Sequence, residues 1–292
     1  MPRTITVNLQ TVTPIWTGDV DRASDQVREI GLVGSIRWWT EVLIRGLEAF
    51  ACDPTGNDRC AFDEEAFCRT GQAEDGLRDV CPACRLFGCT GWSSKLRLVV
   101  TDGQGGYEVN LNRAGVPFTM NFFELKPTLP QERWLLMKAF WLIARYGSIG
   151  GKTPLKPPGQ PDYGLAVPVS PLRLPRLTRD QVSAWLAGLM AASPALQRRY
   201  ERTHPDWPDL HLFFFNDRAW LDLGQINEVM RSDHSGFLAG RRGVSKKVFS
   251  FQRGDRFWGY TRDESMLDGV LGTLQRLGIQ DTRTGEEVIG EL

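Results

Sequence analysis

The sequence predicts an α+β protein made of two successive βαββαβ units, the ferredoxin-like arrangement, with a cysteine-rich segment inserted into the first unit. Three observations lead to this fold class. Strand-like and helix-like apolar patterns follow the order strand, helix, strands, helix, strand over residues 1–170. Six cysteines interrupt this order within a single stretch, at about 50–91. The length of 292 residues favours two domains.

The first unit is predicted to place two amphipathic helices on one face of an antiparallel sheet. Residues 4–16 alternate apolar and polar side chains, as a strand does. Apolar side chains recur at helical spacing over 32–50, and a second heavily apolar segment follows Pro130 at 131–146. The remaining strands are predicted at Leu96–Val100, Tyr107–Leu111, Phe118–Leu125 and Leu165–Val169.

Residues 171–292 are predicted to form a second, degenerate ferredoxin-like domain, which begins with a linker at Pro171–Pro175. The sequence shows no exact internal repeat. Helices are expected at about 178–193 and 263–277 and a strand at His211–Asn216, followed by a second stretch near Val248–Gln252 and an aromatic run at Phe257–Tyr260.

Composition excludes several classes of protein. Hydrophobic residues make up 41% and charged residues 24%, which is ordinary for a globular chain and excludes collagen, coiled coil and wholesale disorder. No apolar run approaches the roughly 18 residues of a membrane span, and the N-terminus leads directly into a strand pattern, so we expect a soluble, cytoplasmic protein without a membrane partner.

The charge balance by itself identifies no polyanionic partner, because the formal net charge is zero. The type of basic residue is more informative: seven of the 35 basic residues are lysine and the other 28 are arginine. Arginine offers a planar fork that suits bidentate phosphate contacts and stacking on bases. This excess is compatible with RNA binding, but a GC-rich genome is the first explanation for it.

The cysteines predict a structural zinc site. Cys81 and Cys84 form a C-x2-C knuckle, the spacing at which two thiolates chelate one Zn²⁺ from a tight turn. Cys52 and Cys60 bracket a turn-rich loop that can fold back on the metal, so they complete the predicted ligand set. Cys68 and Cys89 remain alternative ligands, and a group of free, buried thiols remains the alternative to zinc. A disulfide framework is not expected in a cytosolic chain.

Two glycine-rich loops are candidates for phosphate contact, since glycine lets the backbone approach an anion closely. One opens the first helix at residues 31–37 and contains Ser35 and Arg37, and the other follows the second helix at residues 147–152 and ends at Lys152. Neither loop has the spacing of a P-loop, so we do not expect an ATPase. We also expect no small-molecule substrate. Each loop taken singly is equally compatible with a turn that binds nothing.

Two further segments combine cations with groups that grip single-stranded RNA. Residues 88–97 hold glycines and hydroxyls together with Trp92, Lys95 and Arg97, although Trp92 is equally compatible with a place in the core. The densest basic run lies at residues 241–247, and its alternative is a solvated loop. Its four cations are Arg241, Arg242, Lys246 and Lys247.

Candidate catalytic residues are few. None of the three histidines pairs with a serine or cysteine in a nucleophile motif. An acidic loop after the first strand contains Asp19 and Asp21, where an acid or base for RNA cleavage would sit. Acidic loops are more often simply solvated, so a non-catalytic role is expected first, with Asp19 or Asp21 as the catalytic alternative.

Three motifs together resemble the RAMP superfamily of CRISPR-associated proteins, in particular the first Cmr subunit of type III-B effector complexes. They span Gly34–Trp39, Cys81–Trp92 and Tyr146–Lys152, and the opening Thr13–Gly18 fits the same pattern. The resemblance covers residues 13–164 well. The C-terminal part matches only loosely, through Lys246–Phe249 and Trp258-Gly259.

The resemblance implies tandem ferredoxin-like domains that bind CRISPR RNA near its 3′ end together with target RNA. It also implies a subunit of a ribonucleoprotein with other Cmr or RAMP subunits, without catalysis of its own. By motif position, family RNA contacts carry over to Ser35, Arg37, Trp92, Lys95 and Lys152. Target-cleaving RAMP subunits carry an aspartate in the loop after the first strand, which keeps Asp19 and Asp21 open as catalytic residues.

Overall fold

The computed structural model describes residues 4–18, 24, 26–153, 162–202, 207–240 and 244–292. Four of the predicted site residues, Asp19, Asp21, Arg241 and Arg242, lie outside these residues. The described part of the chain forms two four-stranded antiparallel sheets with helices packed between and beside them.

The N-terminal half has a βαββαβ element order once the helices of the cysteine-rich insertion are set aside. The insertion itself holds three short helices, which are α2 (Glu64–Thr70), α3 (Ala73–Gly76) and α4 (Pro82–Phe87). The other elements are β1 (Thr4–Thr11), α1 (Glu29–Gly46), β2 (Leu96–Asp102), β3 (Pro117–Glu124), α5 (Pro130–Arg145) and β4 (Ala166–Pro168).

The first sheet has the strand order β2-β3-β1-β4, and all of its neighbouring strands are antiparallel. Alternate side chains of each strand point inward, so Val7 and Leu9 of β1 meet Met120 and Phe118 of β3 in the core. Helices α1 and α5 contact each other and cover this face, with Phe140 of α5 packed on Phe122.

The C-terminal half repeats the same strand order in its own sheet, β6-β7-β5-β8. Helices α6 (Arg179–Ala192) and α7 (Pro194–Glu201) precede this sheet. The strands of this sheet and the helices that connect and follow them are β5 (Phe213–Asn216), α8 (Leu223–Arg231), β6 (Val248–Phe251), β7 (Arg256–Tyr260), α9 (Glu264–Arg276), β8 (Arg283–Thr284) and α10 (Gly285–Gly290).

The second sheet is covered on both faces, which explains why its strands are almost entirely apolar. Trp38 and Trp39 of α1 pack against Phe213 and Trp258 on one face, with ring centroids 5.0–6.1 Å apart. Helix α8 contacts β6, and α9 contacts β5. The layers therefore run from the first sheet through α1 and α5 to the second sheet and its helices, and α1 belongs to the cores of both halves.

Local sequence explains where the helices begin. Glu132 of α5 accepts a hydrogen bond from the Leu129 backbone N–H, and Pro130 occupies the first helical position, where its missing N–H costs nothing. Thr178, Asp222 and Thr284 cap α6, α8 and α10, each with a glutamine or glutamate three residues on that completes a capping box.

Most predicted elements lie within a few residues of the observed ones, and one is wrong. Residues 107–111 do not form a strand. Three glycines follow Asp102, whose carboxylate accepts hydrogen bonds from the backbone N–H groups of Gln104 and Gly106, so the chain turns and does not pair. In the described part of the chain, no helix is both long and apolar enough to cross a membrane.

Candidate metal centre and nucleic-acid interface

Four buried cysteines converge on one point between α1 and the insertion. The Sγ atoms of Cys52, Cys60, Cys81 and Cys84 all lie within 4.8 Å of one another. Cys52 Sγ is 3.4 Å from Cys84 Sγ and 3.9 Å from Cys81 Sγ. Four sulfurs at about 2.3 Å from a tetrahedral Zn²⁺ stand about 3.8 Å apart, so this set has the donor chemistry and spacing of a closed zinc site.

The sequence builds this cluster from three short segments. Cys52 follows the C-terminal end of α1, and Cys60 ends the loop that begins there. Cys81 is the N-cap of α4, and Pro82 starts that helix, so Cys84 returns one turn later beside Cys81. The Cys81 backbone N–H donates to Cys60 Sγ at 3.3 Å, and hydrogen bonds from Cys52, Cys81 and Cys84 lower the pKa of the Cys60 thiol.

The two cysteines held as alternatives have different surroundings. Cys68 is exposed on α2 and does not belong to the four clustered cysteines. Cys89 is half-buried and hydrogen-bonds to Cys84, so it lies next to the cluster without belonging to the four.

Two arginines form an outer layer around the sulfurs. Arg37 of α1 donates from Nη2 to Cys84 Sγ at 3.1 Å, from Nη1 to the Gly88 carbonyl at 2.9 Å and from Nε to Glu41 Oε1 at 2.7 Å. Arg199 of α7 donates to Cys60 Sγ at 3.4 Å. Burial raises the pKa of Glu41 to about 7, against the opposing effect of its hydrogen bond from Arg37.

The two glycine-rich loops meet in a single cleft. The Gly150 backbone N–H donates to Ser35 Oγ at 3.2 Å, and the Gly151 N–H donates to the Trp16 carbonyl at 2.7 Å. Gly150 has φ +83°, and a Cβ there would lie 2.7 Å from the Trp16 carbonyl oxygen, so the close approach requires glycine. Lys152 places its ammonium 4.6 Å from the centre of the Trp16 ring.

The cleft has walls from both halves of the chain and a volume of about 500 Å³. Ser35 and Trp38 come from α1, and Lys152 comes from the loop after α5. Ser245 and Tyr260 belong to the C-terminal half. A second cleft, of about 730 Å³, shares Trp38 and Tyr260 with the first and is also lined by Lys247. Cations, hydroxyls, backbone and half-exposed indole rings together suit a single-stranded polyanion that carries bases.

The structure therefore brings Ser35 and Lys152 together and separates them from Arg37. Positions 35 and 37 lie about 200° apart around a helix, so Ser35 opens into the cleft while Arg37 turns toward the cysteines. Lys95 also has an internal partner: its Nζ lies 2.7 and 3.0 Å from the two carboxylate oxygens of Glu132, and both side chains are buried. Both positive charges are thus paired inside the protein.

The remaining predicted RNA contacts lie in other places. Trp92 is half-buried and stacks on Phe62, and its ring carries the Lys126 ammonium 3.5 Å from its centre. Arg97 is exposed on β2 opposite Phe123 of β3, and neither residue lines the cleft. Lys246 is half-exposed beside Ser245. Lys247 is buried, and its Nζ donates to the Ser245 carbonyl at 2.5 Å.

Sequence reasoning missed the aromatic walls of the cleft and the arginine from the C-terminal half. The place of Trp38 in the cleft wall could have been predicted, because it lies three residues after Ser35 and therefore on the same side of α1. The contact between Arg199 and Cys60 could not have been predicted from spacing, because 139 residues separate the two.

Comparison with known proteins identifies the family of the chain and supports its fold. The sequence profile of the RAMP superfamily matches residues 8–155, just over half of the chain. No curated protein matches the chain by sequence.

Among solved structures, a chain from a type III-B Cmr-beta complex bound to cognate target RNA and AMPPnP has a TM-score of 0.51. The two are 10% identical, and the match covers 95% of this chain and 100% of that one, so the likeness concerns the fold. A chain from a type IV-B CRISPR complex is 15% identical with a TM-score of 0.39, over 61% of this chain and 96% of that one. The profile match establishes that this chain belongs to the RAMP superfamily.

Proposed function

We propose that this protein is an RNA-binding subunit of a cytoplasmic type III-B (Cmr) CRISPR effector complex. In this role it contacts the 3′ region of CRISPR RNA and the target RNA for antiviral defence, beside other Cmr or RAMP subunits and without catalysis of its own. The observation that carries the proposal is the meeting of two glycine-rich loops, Ser35 and Lys152 in one aromatic-walled cleft.

The chemistry of the cleft suits the RNA backbone. The Lys152 ammonium offers a mobile point charge to a phosphate, and the Ser35 hydroxyl and the glycine loops let the strand approach the protein closely. Trp38 and Trp16 present ring surface on which unstacked bases can rest. Such contacts read the backbone and the π-face of any base, so we expect little sequence preference from the isolated subunit.

We further propose that residues 1–170 and 171–292 are tandem ferredoxin-like domains. The shared strand order of the two sheets and the βαββαβ element order in both halves support this division. Because the cleft has walls from both, the two domains act together in RNA binding.

We propose Zn²⁺ as the metal held by Cys52, Cys60, Cys81 and Cys84. Four cysteine sulfurs at these separations suit tetrahedral Zn²⁺, and a closed all-thiolate set leaves no position open for catalysis. When bound, the ion would cross-link the C-terminal end of α1 to the insertion. The purified protein should hold one zinc ion per chain. Cys84→Ser should lose the ion and Cys68→Ser, at an exposed cysteine, should keep it.

Direct binding to labelled single-stranded RNA at about 50 and 200 mM salt tests the RNA proposal. Wild-type protein should prefer single-stranded RNA over duplex DNA and lose affinity steeply with salt, and Lys152→Ala should weaken binding and reduce the magnitude of the salt slope by about one. Arg198→Ala, at an exposed arginine outside the cleft, is the matched control. Equal salt slopes for Lys152→Ala and the control would contradict the assignment of the cleft.

The second candidate function is a metal-dependent endoribonuclease that uses Asp19 or Asp21. It is kept because Thr17, two residues before Asp19, lines the cleft. The two functions differ in one assay: a nuclease cleaves target RNA, and Asp19→Ala or Asp21→Ala abolishes cleavage while leaving binding intact. Under the non-catalytic proposal, an assembly with the wild-type subunit cleaves target RNA at the same rate as an assembly in which this subunit carries both substitutions.

A further inference from the structure

The arginines around the cysteine cluster come from the two halves of the chain. Arg37 belongs to α1 of the N-terminal half, and Arg199 belongs to α7 of the C-terminal half. Each donates a hydrogen bond to a different sulfur of the set, at 3.1 Å to Cys84 and at 3.4 Å to Cys60. The cluster is therefore contacted from both halves.

The negative charge of a metal-bound cysteine cluster explains the presence of two guanidinium groups beside it. Four thiolates around one divalent ion carry a net charge of minus two, and the four cysteines are buried. A buried anion is costly unless it is paired and hydrogen-bonded, and two guanidinium groups balance this charge. Neutral thiols in the metal-free cluster would offer the arginines much weaker acceptors.

Arg199 is held by more than the sulfur. Its Nη2 donates to the Asp58 carbonyl, and its guanidinium lies 4.5 Å from the centre of the Phe50 ring. At the other end of the same helix, Ser193 Oγ donates to Asp79 Oδ1 at 2.6 Å. Helix α7 is thus attached to the cysteine-rich insertion at both of its ends, through groups whose positions depend on the fold of the insertion.

We propose that Arg199 is a positioning residue that fastens helix α7 of the C-terminal half to the metal-loaded cysteine cluster, with Arg37 as its counterpart from α1. The metal site then does more than stabilise the insertion, because it couples the insertion to the half of the chain that supplies Ser245 and Tyr260 to the cleft. The inference rests on the zinc proposed above.

Zinc release and backbone hydrogen exchange of the full-length chain test this coupling. Zinc content is measured first, and a chain without zinc would contradict the zinc proposal itself. In zinc-loaded protein, Arg199→Ala should release the ion to a chelator about tenfold faster, because losing an outer hydrogen bond to a ligand typically costs 10–100-fold in metal affinity. Arg198→Ala, on the same helix, should release it at the wild-type rate, and Arg199→Lys should lie between them.

The exchange measurement separates coupling from a local structural role. Removing zinc from the wild-type chain should speed amide exchange in residues 193–201. In Arg199→Ala this exchange should already be fast in the zinc-loaded protein and should change little on zinc removal. Additive effects of the substitution and of zinc removal would overturn the proposal. The proposal would also be overturned if Arg199→Ala held one zinc ion per chain and released it at the same rate as Arg198→Ala.

Discussion

At the residue scale, two cations that the sequence groups together have different surroundings. Lys95 and Arg97 are two positions apart on the same stretch, and both are cations of the kind that contact phosphate. Lys95 precedes β2 and is buried against Glu132, whereas Arg97 lies within β2 on the face opposite the buried Leu96 and Leu98 and is exposed. A cation motif in sequence identifies a charge and does not identify its partner, because Glu132 approaches only when α5 packs on the sheet.

Lys95→Ala should destabilise the protein by about 3–5 kcal/mol, since it leaves the Glu132 carboxylate buried without its partner. Arg97→Ala should change the free energy of unfolding by less than about 0.5 kcal/mol, because that side chain is exposed. Urea denaturation measures both values. The double variant Lys95→Met with Glu132→Leu should recover most of the lost stability, and a single Lys95→Ala variant as stable as Arg97→Ala would contradict the pairing.

His211 gives a pH-dependent contribution to stability. A hydrogen bond between its Nδ1 and Asp209 Oδ1, 3.1 Å apart, raises the pKa of His211 against the opposing effect of burial. A raised pKa in the folded state means that the stabilisation is complete below the unfolded value of about 6.5 and is lost as pH rises through the folded pKa.

His211→Gln should therefore lower the free energy of unfolding at pH 5.5 relative to wild type, and the gap should narrow by pH 8. His234→Gln, at an exposed histidine, is the control. A gap that is constant across this range, or one that widens at high pH, would show that the histidine acts through packing and not through its charge.

At the element scale, the loop after α5 is shaped by a close backbone approach. Gly150→Ala combines a positive φ with a Cβ that would press on the Trp16 carbonyl, so the variant should lose about 1–3 kcal/mol of stability. Gly34→Ala places a Cβ in open space at an exposed position of helix α1, and the variant should be as stable as wild type or up to about 1 kcal/mol more stable. Thermal denaturation of both variants checks this contrast, and equal melting temperatures would contradict the role given to Gly150.

Periodicity was sufficient to predict the long elements and insufficient for several of the short ones. Helices α1 and α5 and strands β1 and β3 carry strong apolar patterns, and their predicted positions are correct to within a few residues. Helix α7 was missed because it buries mainly Leu196 and is fixed by distant groups on the insertion. The strand predicted at 107–111 failed because three glycines and the Asp102 turn act against pairing.

At the scale of the whole molecule, the candidate sites depend on long-range contacts that spacing alone cannot supply. The C-x2-C knuckle identified two of the four clustered cysteines directly, and the loop argument correctly added Cys52 and Cys60. The two glycine-rich loops were visible separately, but nothing in the sequence placed residue 35 beside residue 150. That juxtaposition arises because α1 and α5 pack together, and the second sheet then closes the cleft by packing on Trp38 and Trp39.

The central claim is that RNA lies in this cleft, and site-directed photocrosslinking tests it most directly. Single-stranded RNA that carries 4-thiouridine is irradiated with the purified chain, and the crosslinked peptides are identified by mass spectrometry. We predict crosslinks to residues 31–39 and 147–152, with Trp16 and Trp38 as the principal acceptors. Crosslinks concentrated instead on the outer face of the first sheet, around Arg97 and Phe123, would contradict the account.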